Sequence, residues 1–237
     1  MTDALGASAD PISIRTLSFV QRCLRVSFST LVWIDASDVG FSEYLSLGLP
    51  DQLMQDYFAG VSQFDPLSIS NTLGYNRCFV ALGSDVVPQD SPAQIRYRSH
   101  LAHYGIEDEL DMLVCVGAVP VASIAIHRRP VDPAFIEDDE FWLNLQSYVE
   151  FNMRFHPRVQ SLVLSSALKG QYGLSKRETE VAMLVSDGAS NSDIAEILCI
   201  KTGTVKTHIV RLLDKLGVSS RYGIMARCHA IRMDARN

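Results

Sequence analysis

The stretch of sequence that decides the C-terminal fold is LSKRETEVAMLVSDGASNSDIAEILCIKTGTVKTHIVRLLDKLGVSSR, residues 174–221. It opens with Ser175 followed three residues later by Glu178, the spacing of a capping box, in which the two side chains satisfy free backbone N–H groups at a helix start. Apolar residues recur at helical spacing from Val181, and Gly188 is typical of a helix end. The opening of this stretch therefore predicts a short, capped helix.

Signals for three further helices follow. Ser190 and Asp193 repeat the capping box and predict a second short helix. Apolar residues then recur at spacings of four, three and four positions: Val205, Ile209, Leu212 and Leu216. They predict a third helix that ends near Gly217, and a fourth helix is expected from about Ser220. Because only residues 199–201 separate the second helix from the third, the sequence predicts an all-α unit of four helices with a tight helical corner.

The third predicted helix has a polar face with several basic side chains. The polar residues are Lys206, Thr207, His208, Arg211 and Lys215. An amphipathic helix with a basic outer face, braced by a preceding short helix, is the element that enters the major groove of DNA. Lys206, Arg211 and Lys215 are suited to neutralising phosphates, whereas Thr207 is suited to a base edge. Taken alone, a basic helix face fits a solvated surface equally well.

Four sequence blocks give this region a specific resemblance. LSxRExEV, GxSNxxIAxxL, TVKTHI and LxKLGVxSR occur in this order within residues 174–230, which resemble the C-terminal domain of the LuxR/GerE/NarL superfamily of bacterial regulators. The resemblance implies a helix-turn-helix domain over residues 174–237, a third helix that reads the major groove, and a fourth helix that often forms a dimer seam. The DNA-contacting residues that it implies are Thr204, Lys206, Thr207, His208, Arg211 and Lys215.

Three positions depart from the family pattern. Lys201 stands where a capping serine is usual, so we expect Thr202 to cap the third helix one residue late. Gly203 stands where a basic residue is frequent, which removes a phosphate contact and loosens the first turn. Val210 occupies an outward position where some relatives have a polar or basic residue. These departures leave the fold prediction unchanged and the target sequence undetermined.

Composition and charge fit a two-part protein. The chain has 237 residues, of which 47% are hydrophobic, enough for a well-packed core. Residues 1–170 hold 11 basic and 20 acidic side chains, whereas residues 171–237 hold 10 and 7. This split indicates an acidic domain joined to a small domain that binds a polyanion.

Several classes of protein are disfavoured by what the sequence contains. No apolar run approaches the roughly 20 residues that span a bilayer, and the N-terminus does not resemble a signal peptide. The five cysteines are scattered singly, which favours reduced thiols over a disulfide framework or a zinc site. We therefore expect a cytoplasmic protein without contact to a membrane.

The N-terminal region, residues 1–163, reads as mixed α and β structure. Strands are expected at residues 30–36, 41–47, 78–82, 111–116 and 121–127, and helices at residues 12–26, 93–104 and 135–155. Strands that neighbour one another in sequence and are flanked by helices predict an α+β fold, an antiparallel sheet with helices on its faces. Small and polar residues predict a linker over residues 164–173.

This order of elements resembles the GAF/PAS-like α/β/α sandwich of acyl-homoserine-lactone receptors, the autoinducer-binding domain that precedes the same helix-turn-helix domain in quorum-sensing regulators. The resemblance rests on Tyr57-Phe58 followed by Phe64-Asp65-Pro66, and it implies that Asp65 accepts the amide N–H of a ligand. Asp65-Pro66 is equally consistent with a helix cap. The ligand-binding residues expected for this domain are Trp33, Tyr57, Phe64, Asp65 and Leu82.

The remaining ligand residues of those receptors fit poorly. Leu82 stands where a tryptophan is expected, and Glu109 stands where a glycine is expected. Acidic residues are expected at the rim of the site: Glu107, Asp108, Glu109 and Asp111. A standard homoserine lactone is therefore disfavoured, and a different small molecule, or none, remains open.

Two other classes are rejected on the sequence. A response regulator needs an acidic pair after its first strand and repeating βα units, and neither is present. An enzyme is disfavoured because the pair His100 and His103 lacks a third metal ligand at a suitable spacing, and no nucleotide-binding or nucleophile motif occurs. We therefore expect no metal, cofactor or catalysis. The sequence predicts a homodimeric regulator that binds double-stranded DNA under control of a small molecule; the alternative is control by a partner protein, or a domain that only dimerises.

Overall fold

The structure, a computed structural model, describes residues 10–34, 41–75, 77–117 and 119–234. Its chain divides into two compact units, Met1–Met153 and Arg154–Asn237. Among the described residues, no helix is both long enough and apolar enough to cross a membrane. Each unit has its own core.

The first unit is an antiparallel sheet with helices on both faces. Its helices are α1 (Pro11–Leu24), α2 (Asp51–Ala59), a 3₁₀ helix (Val61–Phe64), α3 (Ile69–Gly74), α4 (Pro92–His103) and α5 (Asp139–Met153). Its strands are β1 (Phe28–Ile34), β2 (Phe41–Leu47), β3 (Phe79–Ala81), β4 (Asp108–Val116) and β5 (Val119–Arg128). The strands of the five-stranded sheet lie in the order β2-β1-β5-β4-β3, and every pair is antiparallel. The predicted α+β class is confirmed.

The two faces of this sheet differ in polarity. Leu31 and Ile124, which are paired, belong to the face that packs against α1 and α5, and both are fully buried. Because strand side chains alternate, the neighbouring residues point to the other face. There Thr30, Ala125 and Asp111 form one row across β1, β5 and β4. The small side chain of Ala125 in the middle of this row leaves space above the sheet.

The second unit is entirely helical. It consists of α6 (Pro157–Gly170), α7 (Lys176–Ser186), α8 (Asn191–Ile197), α9 (Thr202–Leu216) and α10 (Arg221–Asp234). Its buried core contains Leu164, Leu168, Leu174, Val181, Ala182, Val185, Ile194, Val205, Leu212, Leu216, Ile224 and Cys228. Both predicted capping boxes are present, with Ser175 and Glu178 at the start of α7 and Ser190 and Asp193 at the start of α8. The four predicted helices are confirmed as α7 to α10.

Residues 164–173, predicted as a linker, differ most from expectation. The structure continues α6 through Gly170, and Leu164 and Leu168 of this helix are fully buried in the core of the second unit. The prediction weighed the small residues of this stretch and overlooked the two leucines at a spacing of four, which place both on one helix face. The first seven predicted linker residues are therefore part of a packed helix.

Other boundaries also shift. Thr202 is the first residue of α9 and Lys201 occupies its N-cap position without a side-chain hydrogen bond, so the expected cap by Thr202 is wrong. The last predicted helix of the first unit starts at Asp139 and not at residue 135. The short helices α2 and α3 were not predicted. Residues 35 and 36 of the first predicted strand lie outside the described residues.

Candidate nucleic-acid interface and ligand cavity

Helix α9 has a buried side and an exposed side with different chemistry. Val205, Leu212 and Leu216 of this helix are buried in the core of the second unit. The exposed side presents Thr204, Lys206, Thr207, Val210 and Arg211. Because the apolar side chains fix the rotation of the helix about its axis, the polar and basic side chains are held on the outer surface. This is the arrangement that a helix needs to lie in a DNA groove.

The corner before α9 is held by specific contacts. Cys199 adopts a left-handed backbone conformation with φ 53°, and the N–H of Ile200 donates to the carbonyl of Ala195 at 2.9 Å. The guanidinium of Arg177 donates to the carbonyl of Leu198 at 2.5 Å, which ties α7 to the end of α8. These bonds satisfy carbonyl groups that a helix end leaves free. The turn between α8 and α9 is therefore rigidly specified.

The start of α9 leaves backbone donors available. Lys201 makes no side-chain cap, but the N–H of Thr204 donates to the carbonyl of Lys201 at 2.9 Å, which leaves the N–H groups of Thr202 and Gly203 for an outside acceptor. Lys201 and Gly203 are both exposed, and a Cβ added at Gly203 would meet no atom within 4 Å. Free N–H groups and the helix dipole favour an anion at this end. Lys201 is thus a candidate phosphate contact that the sequence prediction missed.

Lys215 is committed to a contact inside the second unit. Its Nζ donates to Glu178 Oε2 at 2.8 Å and to the carbonyl of Gly173 at 2.9 Å. The Lys215 ammonium, together with the N–H of Ser175, lowers the pKa of Glu178 to about 2. Glu178 is buried, so the pair links α9 to the start of α7. This geometry gives Lys215 a structural contact in place of the free phosphate-binding ammonium that was expected.

His208 also differs from the simple picture of an outer face. It is half-buried, and its Nδ1 is enclosed without a hydrogen-bond partner among the described residues. Thr207 Oγ1 donates to the carbonyl of Gly203 at 3.2 Å and is otherwise exposed. Five of the six predicted DNA-contacting residues are exposed, and four of these are not tied to Glu178 as Lys215 is: Thr204, Lys206, Thr207 and Arg211.

The first unit contains a cavity of about 40 Å³ on the polar face of its sheet. The strands contribute Thr30, Val32, Glu109, Asp111, Ser123, Ala125 and His127. The covering helices and loops contribute Leu53, Met54, Tyr57, Asp65, Leu67, Ser68, Ile69, Tyr97, His100 and Leu101. A volume of this size holds only a few atoms or water molecules.

The five predicted ligand-binding residues do not all meet here. Tyr57 and Asp65 line the cavity, and Tyr57 Oη donates to Asp65 Oδ2 at 2.7 Å. Phe64 lies instead in a neighbouring open cleft of about 410 Å³, where Arg96 stacks on its ring at 4.0 Å. Leu82 is fully buried in the core cluster beside the cavity without lining it. Trp33 alternates with Val32 along β1 and therefore points to the opposite face of the sheet.

Asp65 takes part in the local structure and also lines the cavity, but it is not the N-cap of α3, which is Ser68. Its Oδ1 accepts from the N–H of Leu67 at 2.7 Å, which organises the turn before α3, while its Oδ2 accepts from Tyr57. Burial raises the pKa of Asp65 to about 6, and the hydrogen bonds from Tyr57 and Leu67 oppose that rise. The carboxyl group is thus a local structural element that also faces the cavity.

Two acidic residues expected at the rim lie inside. Glu109 and Asp111 are 2% and 6% exposed and line the cavity, so their expected position at the rim is wrong. Burial raises the pKa of both carboxyl groups well above its usual range, and the nearby charge of Asp65 adds to the effect. Glu109 Oε2 accepts from Tyr97 Oη at 2.8 Å. The alternation of polar and apolar residues along β4 was the signal that could have placed them there.

His127 shares the cavity with these carboxylates. Its Nδ1 lies 3.7 Å from Glu109 Oε1, which is too long for a hydrogen bond. Burial lowers the pKa of His127 to about 4, so the imidazole is neutral at pH 7 and this contact is not an ion pair. Within the described residues, no group of three or more His, Cys, Asp or Glu side chains could hold a metal ion. Among the described residues that line the cavity, no lysine or arginine offsets these acidic groups.

The second unit contains a helix-turn-helix formed by α8 and α9, and α9 has basic side chains on its exposed side. Residues 173–228 match the family described as bacterial regulatory proteins, luxR family. This C-terminal segment is a LuxR-family domain.

Two curated relatives are similar to this chain over short stretches. The transcriptional regulatory protein LiaR of Bacillus subtilis (strain 168) is 50% identical over 48 residues, 20% of this chain and 23% of LiaR. The transcriptional regulatory protein DesR of the same organism is 44% identical over 54 residues, 23% of this chain and 27% of DesR. The chain thus spans about a quarter of the length of these relatives.

A solved structure extends the likeness in fold to the whole chain. Escherichia coli SdiA matches with a TM-score of 0.50 and 16% sequence identity, over 97% of this chain and 94% of the SdiA chain. At this identity the comparison shows the fold alone. It agrees with the antiparallel sheet of the first unit followed by a helical second unit.

Proposed function

We propose that this protein is a DNA-binding transcription regulator of the LuxR type, not an enzyme, and that a small molecule bound in its first unit controls it. The observation that carries the proposal is the exposed pair Lys206 and Arg211 on α9, within a LuxR-family helix-turn-helix domain. Neither side chain forms an ion pair with any of the described residues, so both charges are available to phosphates. A regulator of this type acts on the chromosome, so we also propose a cytoplasmic location.

The exposed atoms of α9 support two kinds of DNA contact. Lys206 and Arg211 supply charge, which gives affinity independent of sequence through release of counterions. Thr204 and Thr207 supply hydroxyl and methyl groups that suit base edges in the major groove. Val210 is 66% exposed between them and offers an apolar contact of the kind made to a thymine methyl group. This helix would therefore contact phosphates through two charged side chains and base edges through short side chains that are apolar or weakly polar.

The cavity in the first unit supports control by a ligand. It is lined by Tyr57 and Asp65, two of the residues that we expect to bind a ligand, and it lies between the sheet and the helices that cover it. A unit that served only to dimerise would need no polar cavity, because burying unpaired polar groups costs free energy. The polar lining thus favours sensing over the alternative of a purely structural first unit.

Helix α5 supports the homodimer that we propose. Three large apolar side chains on it are about half exposed: Leu143, Tyr148 and Phe151. Exposed apolar patches of this kind mark protein interfaces. We expect Leu143→Glu to shift the protein to monomer in analytical ultracentrifugation. Val131→Glu, at a residue that is 79% exposed outside α5, is the matched control; an unchanged mass for Leu143→Glu would remove α5 from the interface.

Binding to a random-sequence DNA duplex at two salt concentrations tests the reading helix. Lys206→Ala and Arg211→Ala should each weaken binding and lower the slope of log affinity against log salt by about 0.9, because each removes one phosphate contact. Lys169→Ala removes an exposed lysine of α6 and serves as the charge-matched control. Unchanged affinity and slope in both α9 variants would refute the assignment.

Native mass spectrometry of protein purified from its own cells tests control by a small molecule. The proposal expects a bound molecule whose removal changes the affinity for DNA. A protein that carries nothing and binds DNA equally before and after dialysis would favour the alternative, in which a partner protein controls the regulator or its first unit only dimerises.

A further inference from the structure

The cavity of the first unit encloses three carboxyl groups. The basic side chains among its described lining residues are two histidines, His100 and His127, and burial lowers the pKa of both. Asp65, Glu109 and Asp111 all line it, and each is at least 94% buried. Among the described residues, none of the lining side chains is lysine or arginine. Burying carboxylates without a cation costs several kcal/mol per charge, by order of magnitude. Such groups avoid that cost by staying protonated, and a cationic ligand would allow them to ionise.

Hydrogen bonds satisfy two of the three groups. Asp65 accepts from Tyr57 Oη and from the N–H of Leu67, and Glu109 accepts from Tyr97 Oη. Both tyrosines remain protonated, since burial and the nearby carboxylates raise the pKa of each. These donors are therefore fixed parts of the site and add no charge to it.

Asp111 is the group that the protein leaves unsatisfied. Its Oδ1 is buried and accepts no hydrogen bond from any of the described residues. Two hydroxyl groups on the same face of the sheet are engaged elsewhere, because Thr30 Oγ1 pairs with Ser46 Oγ at 3.1 Å and Ser123 Oγ donates to the carbonyl of Met112. Ala125, paired with Asp111 across the strands, fills little of the space beside it. A ligand donor at this point would complete the network.

We propose that the cavity binds a small organic cation, a primary ammonium or guanidinium group, that pairs with Asp111 and is flanked by Asp65 and Glu109. This inference names the class of ligand for the control by a small molecule proposed above and rests on that proposal. An organic cation is favoured over a metal ion because the described residues contain no cluster of three ligands with suitable geometry. A neutral lactone would leave Asp111 without a charged partner.

The shape of the surrounding space indicates how a larger ligand would enter. The inner cavity is about 40 Å³, enough for a cationic head group alone. His100 lines both this cavity and the open cleft of about 410 Å³ beside it, which also contains Phe64 and Arg96. A ligand with its ammonium beside Asp111 and a short tail past His100 would occupy both spaces. Arg96 makes the outer cleft unsuited to a second positive charge.

Proton release is a signature that separates this ligand from a neutral one. With an empty site, burial and mutual repulsion favour protonated carboxyl groups. A bound cation stabilises the ionised forms, so binding must expel protons, and the affinity must rise with pH while the ligand stays charged. A neutral ligand would show neither effect.

Thermal shifts and titration calorimetry on the full chain test the inference with matched probes. The probes are n-alkylammonium ions of two to eight carbons, with the alcohols and carboxylates of equal length and N-hexanoyl homoserine lactone as controls. We expect at least one alkylammonium ion to raise Tm more than its alcohol, with proton release that depends on the ionisation enthalpy of the buffer. If no alkylammonium ion exceeds its alcohol, the inference is wrong.

Two variants keep the test decisive. Asp111→Asn should abolish the effect of the ammonium ions and raise the Tm of the empty protein by about 2–4 °C, because it removes a buried, unpaired carboxyl group. Asp85→Asn, at an exposed residue outside the cavity, is the matched control. It should change neither the response to ammonium ions nor the Tm of the empty protein. A lower Tm for Asp111→Asn, or an ammonium response that survives it, would overturn the role of Asp111.

The outcome also separates this inference from the proposed function. If the lactone binds and the ammonium ions do not, control by a ligand stands and the cationic class is wrong. If an ammonium ion binds and the affinity for DNA does not change, the cationic site stands and control by this ligand fails.

Discussion

The two units are built on opposite uses of acidic side chains. In the second unit, Glu178 is paired with Lys215 and Ser175, and its charge holds two helices together. In the first unit, Asp111 is buried beside two more carboxyl groups, and no charge from the protein offsets it. The carboxylate of Glu178 has its partners within the protein. The carboxyl group of Asp111 has an unsatisfied oxygen, and the free-energy cost of burying it can be removed by a ligand. Under the function proposed above, the second unit needs stability to hold α9 in place, and the first unit needs an unsatisfied group that a ligand can complete.

The largest effect is expected from the core of the second unit. Leu212→Ala should destabilise this unit by about 2–5 kcal/mol, because it removes a fully buried side chain and leaves a cavity. Val210→Ala, on the exposed side of the same helix, should cost less than about 0.5 kcal/mol. Urea unfolding followed by circular dichroism measures both. Similar losses for the two variants would show that α9 is not anchored by its apolar side.

The next effect concerns the opposite pH responses of the two units. In the first unit the folded-state pKa of Asp65 is raised from 3.8 to about 6, and those of Glu109 and Asp111 are raised further. Stability from these groups is present at low pH and is lost as the pH rises through the folded-state values. His127, whose pKa falls to about 4, acts against this trend below its usual value of 6.5.

We therefore expect hydrogen exchange of β4 and β5 to become faster as pH rises from 5 to 8, after correction for the intrinsic exchange rate. Asp111→Asn should weaken that dependence, and Asp85→Asn should leave it as it is. A first unit whose corrected protection rises over this interval would contradict the assigned burial of the three carboxyl groups.

A smaller effect is expected at the pair between α7 and α9. The pKa of Glu178 falls from 4.5 to about 2, so its contribution to stability is present above pH 4.5 and is lost as the pH falls toward 2. Glu178→Ala, which also removes half of the capping box, should cost about 0.5–2 kcal/mol at pH 7. Urea unfolding of the second unit measures this. Glu180→Ala removes a half-buried ion pair with Arg177 on the same helix and should cost no more than about 1 kcal/mol.

The smallest effect is expected at Gly203. Gly203→Ala should stabilise α9 by about 0.5–1 kcal/mol, since the site is open and alanine loses less backbone entropy. Gly203→Lys should in addition tighten binding to random-sequence DNA, because it restores a charge at the start of the helix. If both variants weaken DNA binding equally, the DNA backbone approaches Gly203 too closely for any side chain.

Local signals made the second unit readable from the sequence. Its two capping boxes, its apolar spacing and the glycine that ends α9 all act within a few residues, so each left a pattern in the chain. The exceptions are contacts between distant residues. The bond from Lys215 to Glu178 spans 37 positions, and nothing in the local sequence separated this lysine from Lys206.

The lining of the cavity in the first unit was harder to predict from the sequence, because it depends on the register of the strands. Glu109 lies opposite His127 only because β4 and β5 pair in one particular register, and a shift by one residue would reverse every side chain. Trp33 was assigned to the ligand site without knowledge of which side of the sheet it faces. Tyr57 and Asp65 both line the cavity, and both belong to one short segment where a family motif could be recognised; their contact with a ligand stays a prediction.

Ala125 has a consequence for engineering. It is the smallest side chain in the row that crosses β1, β5 and β4, and the volume it leaves empty is the volume in which a signal would sit. Replacing it with leucine would fill that space with the protein's own atoms while leaving α9 untouched. Under the proposed function, such a variant could no longer bind its ligand. Its affinity for DNA would show whether a filled cavity favours the DNA-binding state or the inactive state.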